Sequence, residues 1–122
     1  MTTGPTEIIG SADCGNSPKN AFVQDIAIAL ETGVASVEIF DPEITWARTS
    51  TKTLEGQAGV LQALSSTPQV IRVVVQHAIS HGKIGAANGD TLLANGVKRP
   101  FCHVFEFTNG KARSVVSITT YR

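Results

Sequence analysis

The chain has 122 residues, and its ten basic and ten acidic side chains cancel to a formal net charge of zero. That length suits one domain, 1–122, with a single hydrophobic core that needs no disulfide or metal staple. No apolar run approaches the ~20 residues that cross a bilayer, and no basic stripe is available to neutralise phosphates, so neither membrane nor nucleic acid is expected as a partner. Residues 1–15 read as an irregular N-terminal segment, without the basic and apolar regions of a signal peptide. Cys14 and Cys102 stand in unrelated contexts and suggest no disulfide framework, so reduced thiols in a cytoplasmic protein are expected. Ser17-Pro18 predicts a helix start, because the hydroxyl can cap free N–H groups and proline loses nothing at the first helical position. Phe22, Ile26, Ala29 and Leu30 then recur at helical spacing, and Gly33 is a left-handed stop. A second short helix carrying Val37 and Phe40 is expected to break at Asp41-Pro42. Residues 44–49 predict a strand with Ile44, Trp46 and Arg48 on one face. A third helix, about residues 55–65, buries Val60, Leu61 and Leu64 and stops ahead of Pro68.

Strands follow. Residues 70–80 are rich in β-branched side chains, and strict alternation puts Ile71, Val73, Val75, His77 and Ile79 on the core face. His81-Gly82-Lys83 is a turn, Asn88-Gly89 marks a bulge in the next strand, and Asn95-Gly96 is another turn. Phe101, His103, Phe105 and Phe107 share one face of the following strand, with Cys102, Val104 and Glu106 opposite. Thr108-Asn-Gly-Lys111 then joins that strand to a run from Ala112 to Tyr121, the clearest hairpin signal in the chain. Alternation on the last strand groups Val115, Ser117, Thr119 and Tyr121. Helices first and a hairpinned sheet afterwards make an α+β domain with helices on one face of an antiparallel sheet, a meander of roughly four long strands plus the short one around Trp46.

Three helices, a short strand carrying a tryptophan and a sheet ending in Phe101-Cys-His-Val-Phe-Glu-Phe-Thr-Asn-Gly-Lys111 resemble the nuclear transport factor 2-like superfamily, which includes ketosteroid isomerases and SnoaL-like polyketide cyclases. Asp13-Cys-Gly-Asn-Ser-Pro-Lys-Asn20 and His77-Ala-Ile-Ser-His-Gly-Lys83 look, more narrowly, like an uncharacterised bacterial branch of it. The resemblance implies a cystatin-like cone, three N-terminal helices packed on a strongly curved antiparallel sheet that wraps a pocket. It implies that Trp46, Arg48, His103, Phe105, Thr119 and Tyr121 point into that pocket. It also implies where isomerase groups would stand, and they are absent: the base position is Arg48, the tyrosine position Ile26, and the second aspartate position His103. If the chain is an enzyme, it is not a ketosteroid isomerase by the usual mechanism.

His103 among three phenylalanines is the candidate general acid or base, or else a neutral histidine satisfied by its surroundings. Spacing alone shows no carboxylate partner for it: Glu106 lies on the opposite face, and Asp41, near the loop end of the pocket, is a candidate. Arg48 on an apolar face needs an anion: a ligand carboxylate, or an ion pair with Asp41, Glu43 or Glu55. Trp46 and Tyr121 suit either a ligand wall or ordinary core, the resemblance adds Phe105 and Thr119 to the wall, and His77 reads as a core or pocket histidine. His77 and His81 on one strand stand ~13 Å apart, too far to share an ion, so no metal and no cofactor are expected. Cys102 and His103 point to opposite faces and make no dyad. The leading expectation is a small apolar molecule, with a carboxylate or carbonyl as its optional polar end, bound between sheet and helices. The alternatives are an isomerase, cyclase or hydratase using His103, and a protein–protein adaptor whose cone is filled. Outward-facing Val70, Val74, Cys102, Val104 and Val116 predict a homodimer through the outer sheet face.

Overall fold

The computed structural model describes residues 5–110 and 114–122. Its elements in chain order are β1 (Glu7–Ile9), α1 (Pro18–Thr32), a single 3-10 turn (Val37–Ile39), β2 (Phe40–Arg48), β3 (Thr51–Glu55), α2 (Gly56–Ser65), β4 (Val70–His81), β5 (Ile84–Leu93), β6 (Lys98–Phe107) and β7 (Val115–Tyr121). No described helix is long and apolar enough to cross a membrane. Helix α1 begins as its sequence dictates: the Asn20 N–H donates to Ser17 Oγ at 3.2 Å, and Pro18 fills the first position. Gly33 ends it with φ at 78°, donating its N–H to the Ala29 carbonyl.

The seven strands form one sheet in the order β1-β4-β5-β6-β7-β2-β3. Pairing is antiparallel except between β1 and β4 and between β2 and β7, so the sheet is mixed. Helix α1 packs on β4 and β5, and α2 on β2 and β3, both against one face of the sheet. Between them lies the core, with Val23, Ile26, Ile44, Val60, Val73, Phe105, Phe107 and Ile118 essentially sealed from solvent. Among the described residues, the other face of the sheet carries no helix.

Three N-terminal helices were expected; among the described residues there are two α-helices and a turn. Phe40 opens β2 instead of closing a helix, because Pro42 interrupts pairing without ending the strand. Having no N–H to donate, it lies where the β2–β7 ladder jumps from Phe40↔Val115 to Thr45↔Ser117. The N-terminal segment is not wholly irregular either. Strand β1 adds a parallel edge to β4, tied by the Thr6 hydroxyl to the Val70 carbonyl at 2.8 Å and by Arg72 to Glu7 at 2.7 Å. Strand β3 was not anticipated; its five residues are mostly exposed and carry no apolar alternation.

Bulges decide which side chains face the core. In β4 the register slips between Val70 and Arg72 and again between Val75 and His77. Val70, Val73, Val75 and Ala78 are therefore buried, whereas Ile71, His77 and Ile79 face solvent, against the strict alternation. The second bulge lies opposite Asn88-Gly89, with the extra residue, Gln76, on β4. A Cβ on Gly89 would stand 1.9 Å from the Val74 carbonyl oxygen, so only glycine allows this approach. A third slip sets Glu106 against Ser117 and Phe107 against Val115. It turns Val115, Ile118 and Thr120 inward and Thr119 and Tyr121 outward. Val70, expected on the outer face, is likewise in the core. Strand β6 has no slip, and Phe101, His103, Phe105 and Phe107 are all buried as alternation requires. Of the last turn, Lys111, Ala112 and Arg113 lie outside the described residues; its stem closes with the Thr108 N–H on the Ser114 carbonyl.

Candidate functional site

The site starts from an acid on an apolar stripe. In α1, Val23, Ala27 and Glu31 follow one another at four-residue steps, so Glu31 is carried into the core with the alanine and valine before it. It is fully buried, as is His103 on β6. His103 Nε2 stands 2.7 Å from Glu31 Oε2, and His103 Nδ1 stands 2.7 Å from Thr120 Oγ1. Thr120 Oγ1 also accepts the Trp46 indole N–H at 2.8 Å. Glu31 takes further donors: the Thr91 hydroxyl at 2.6 Å, Arg122 at 3.0 and 3.1 Å, and Arg99 at 3.4 Å.

Burial alone would raise the Glu31 carboxyl, but the hydrogen bonds and charges of His103 and Arg122 outweigh it and hold the group down at about 2. Glu31 is therefore a carboxylate. Burial pushes His103 below the ordinary 6.5; the Glu31 contact pulls the other way, Arg122 and Arg99 push it further down, and the net direction is downward. These two states fix the protons. A carboxylate at Oε2 needs a hydrogen on Nε2, so the neutral ring leaves Nδ1 bare to accept the Thr120 hydroxyl hydrogen. Thr120 in turn has a lone pair for Trp46. Donor follows donor without conflict from indole to carboxylate.

Above this network is a cavity of about 440 Å³, within the ordinary range for small-molecule sites. Leu30 of α1, Ala63 of α2 and the 66–68 segment form one side. Trp46, Arg48, Thr49, Thr51, Arg99, Thr120 and Arg122 form the other. The Arg48 guanidinium carbon lies 5.5 Å from the centre of the Trp46 rings, close enough for a cation–π contact. Its Nη2 donates to the Lys52 carbonyl at 3.2 Å, and it forms no ion pair with Asp41, Glu43 or Glu55 among the described residues. Among the described residues the wall thus holds Arg48, Arg99 and Arg122 and no acidic residue; Glu31 sits behind it.

The expected residues divide cleanly. Trp46 and Arg48 line the cavity. His103 does not; it touches the wall at Thr120 and, through Glu31, at Arg99 and Arg122. Phe105 is in the core beside His103, with ring centres 6.1 Å apart, and forms no wall. Thr119 and Tyr121 point out of the cone, Tyr121 being 55% exposed. The register slip in β7 gives their place to Thr120. His77 is exposed and pairs with Asp13, Nδ1 to Oδ2 at 3.0 Å, because the β4 bulge turned it outward. That contact and the Ala78 N–H together hold the Asp13 carboxyl below its ordinary value. Asp41 is not the partner of His103: its Oδ1 accepts the Glu43 N–H at 2.9 Å. Glu31, Thr91, Arg99, Thr120 and Arg122 were missed. For Glu31 a signal existed, an acid in step with Val23 and Ala27.

No family model matches the chain. No curated protein matches it either. Solved structures do. An NTF2-like protein of unknown function from Burkholderia xenovorans superposes with a TM-score of 0.67 at 19% identity, covering 84% of each chain. A protein described as a ketosteroid isomerase from Kribbella flavida superposes with a TM-score of 0.69 at 13% identity, over 84% of this chain and 75% of the other. One described as a SnoaL-like polyketide cyclase from Jannaschia gives 0.63 at 15% identity, over 86% and 88%. Identities this low speak for shape alone. The chain has the nuclear transport factor 2-like fold that its sequence resembles.

Proposed function

We propose that the chain binds a small, largely apolar molecule bearing a carboxylate in the cavity between sheet and helices. The observation that carries this reading is the composition of the wall. Arg48, Arg99 and Arg122 converge on one cavity beside the Trp46 indole, and among the described residues no acid lies on that wall. Glu31 offsets one positive charge from below, and a neutral His103 offsets none. An entering carboxylate supplies the missing negative charge and gains planar, paired donors. The indole and Leu30 offer the flat apolar surface. A cone filled by side chains, as an adaptor would have, is disfavoured by the cavity itself.

Trp46 is the only tryptophan, so it reports occupancy directly. Titration with 2-naphthoate is expected to change its fluorescence, whereas 2-naphthamide, with the same ring and no charge, binds at least tenfold more weakly. Arg48→Gln should remove that preference. Equal binding of acid and amide, or an unaltered preference in the variant, would overturn the anionic ligand.

A second reading is enzymatic, with His103 as general acid or base in an isomerase, cyclase or hydratase step. What favours it is the 2.7 Å link from His103 to Thr120, the one member of the buried chain that reaches the cavity together with Trp46. We further propose a cytoplasmic homodimer through the helix-free face of the sheet. Half-buried Val74, Cys102, Val104 and Val116 lie there, now without Val70.

A further inference from the structure

We propose that Thr120 is the reactive hydroxyl of the cavity, a nucleophile for acyl transfer, with His103 as its base and Glu31 as the group that positions the base. The substrate class is an ester or thioester whose acyl part carries a carboxylate. This rests on the anion-binding reading above and adds a reaction to it.

The geometry is that of an activated nucleophile: hydroxyl to imidazole at 2.7 Å, imidazole to carboxylate at 2.7 Å, each contact within proton-transfer reach. Its electron count also fits. A hydroxyl has one hydrogen and two lone pairs. The hydrogen goes to His103 Nδ1 and one lone pair accepts the Trp46 N–H, which leaves the second for a carbonyl carbon. His103 and Glu31 are sealed, so the chain opens to the cavity at Thr120 and at the indole. Arg48 is paired in register with Thr120 across the β2–β7 ladder and lies on the same wall, where it can hold the substrate's own carboxylate beside the reacting carbon.

In the first step Thr120 Oγ1 bonds to the acyl carbon and its proton passes to His103 Nδ1. The tetrahedral adduct collapses, the bond to the leaving oxygen or sulfur breaks, and that atom takes the proton from His103. Water then attacks the acyl-threonine, giving its proton to His103. As the carbon–Oγ1 bond breaks, Thr120 recovers a proton and the free acid departs. Nothing is oxidised or reduced. Arg122 and Arg99 hold the same carboxylate that steadies the imidazolium, which weakens the base. Slow turnover and an accumulating acyl form follow.

The test is intact-mass analysis of the protein exposed to 4-nitrophenyl hydrogen succinate, followed by fragmentation of the peptide spanning 114–122. One succinyl group on Thr120 is expected. Thr120→Ser, which keeps an Oγ, should still take the label; Thr120→Val should not, and Glu31→Gln should take it at least tenfold more slowly. A label on the neighbouring exposed Tyr121 or on lysine, or one that persists in Thr120→Val, overturns the proposal. Should Thr120→Val not fold, the labelled position in the parent protein decides. Fluorescence response to 2-naphthoate without any adduct overturns the nucleophile and leaves the binding site. Loss of both overturns the two readings together.

Discussion

Replacing Glu31 by glutamine keeps the shape of the side chain and removes its charge. The gap between an ordinary value of 4.5 and the folded value of about 2 corresponds to about 3 kcal/mol of stability. Its sign follows from which state holds the proton. The folded carboxyl is depressed, so the contribution is complete above about pH 4.5 and is lost as pH falls towards about 2. Near pH 3 only about 1 kcal/mol should remain. In a domain of this size about 3 kcal/mol is a large share of a total of roughly 5–15, and lowers the melting temperature by roughly 10 °C. Urea unfolding of parent and Glu31→Gln, followed at neutral pH and again near pH 3, measures both numbers. The gap should be about 3 kcal/mol in the first condition and should narrow to about 1 in the second. A variant within about 0.5 kcal/mol of the parent at neutral pH would refute the reasoning, as would a gap unchanged by acid.

The other expectations concern the same packing. His103 is held neutral, so below about pH 6.5 the unfolded chain binds a proton that the folded one resists, and stability falls with acidification from that point. His103→Gln should flatten the stability curve between neutral pH and about pH 5; an unchanged slope in urea melts would show that another group titrates. Gly89→Ala must displace the Val74 carbonyl and should cost about 3 kcal/mol or more, read as the melting temperature; a loss of only a few degrees would mean that the bulge yields easily. Val104→Asp puts a charge at the centre of the helix-free sheet face and should yield monomers on a sizing column; an unchanged dimer would place the interface elsewhere.

The local signals were legible because they are local. Ser17, Pro18 and Gly33 cap α1 through their own chemistry, and the β6 alternation needed no partner to be read. The inner face of β4 and β7 was not legible. A bulge inserts one residue, and one residue reverses every side chain beyond it. Asn88-Gly89 did mark a bulge, but the extra residue lies across the ladder at Gln76, so the mark on β5 could not say that His77 faces out. In β7 nothing in Val115-Val-Ser117 distinguishes a slipped register from a regular one, so alternation points to Thr119 where Thr120 faces in. Arg99 is in step with Phe101 and His103 on β6, so alternation did point it inward; Arg122 is in step with Thr120, beyond the β7 slip that hides both. Glu31 was different: the helical period carried it inward, and only its charge argued against reading it so.

That charge bears on what the network is for. A hydrophobic filling of equal volume often stabilises a fold as well as a buried ion pair does, while removing one partner alone is costly. If Glu31 and His103 served packing only, an apolar pair should replace them. The double variant Glu31→Leu with His103→Leu should therefore be more stable than the sum of the two single losses allows, since each single change strands the other member. It should also lose the succinyl label, because no base then faces Thr120 Oγ1. Urea melts of the two singles and the double, run beside the labelling assay, separate stability from chemistry. A double variant that is stable and still labelled on Thr120 would reduce the buried chain to a packing device. One that is stable and unlabelled would place the value of Glu31 and His103 in the hydroxyl they hold at the cavity wall.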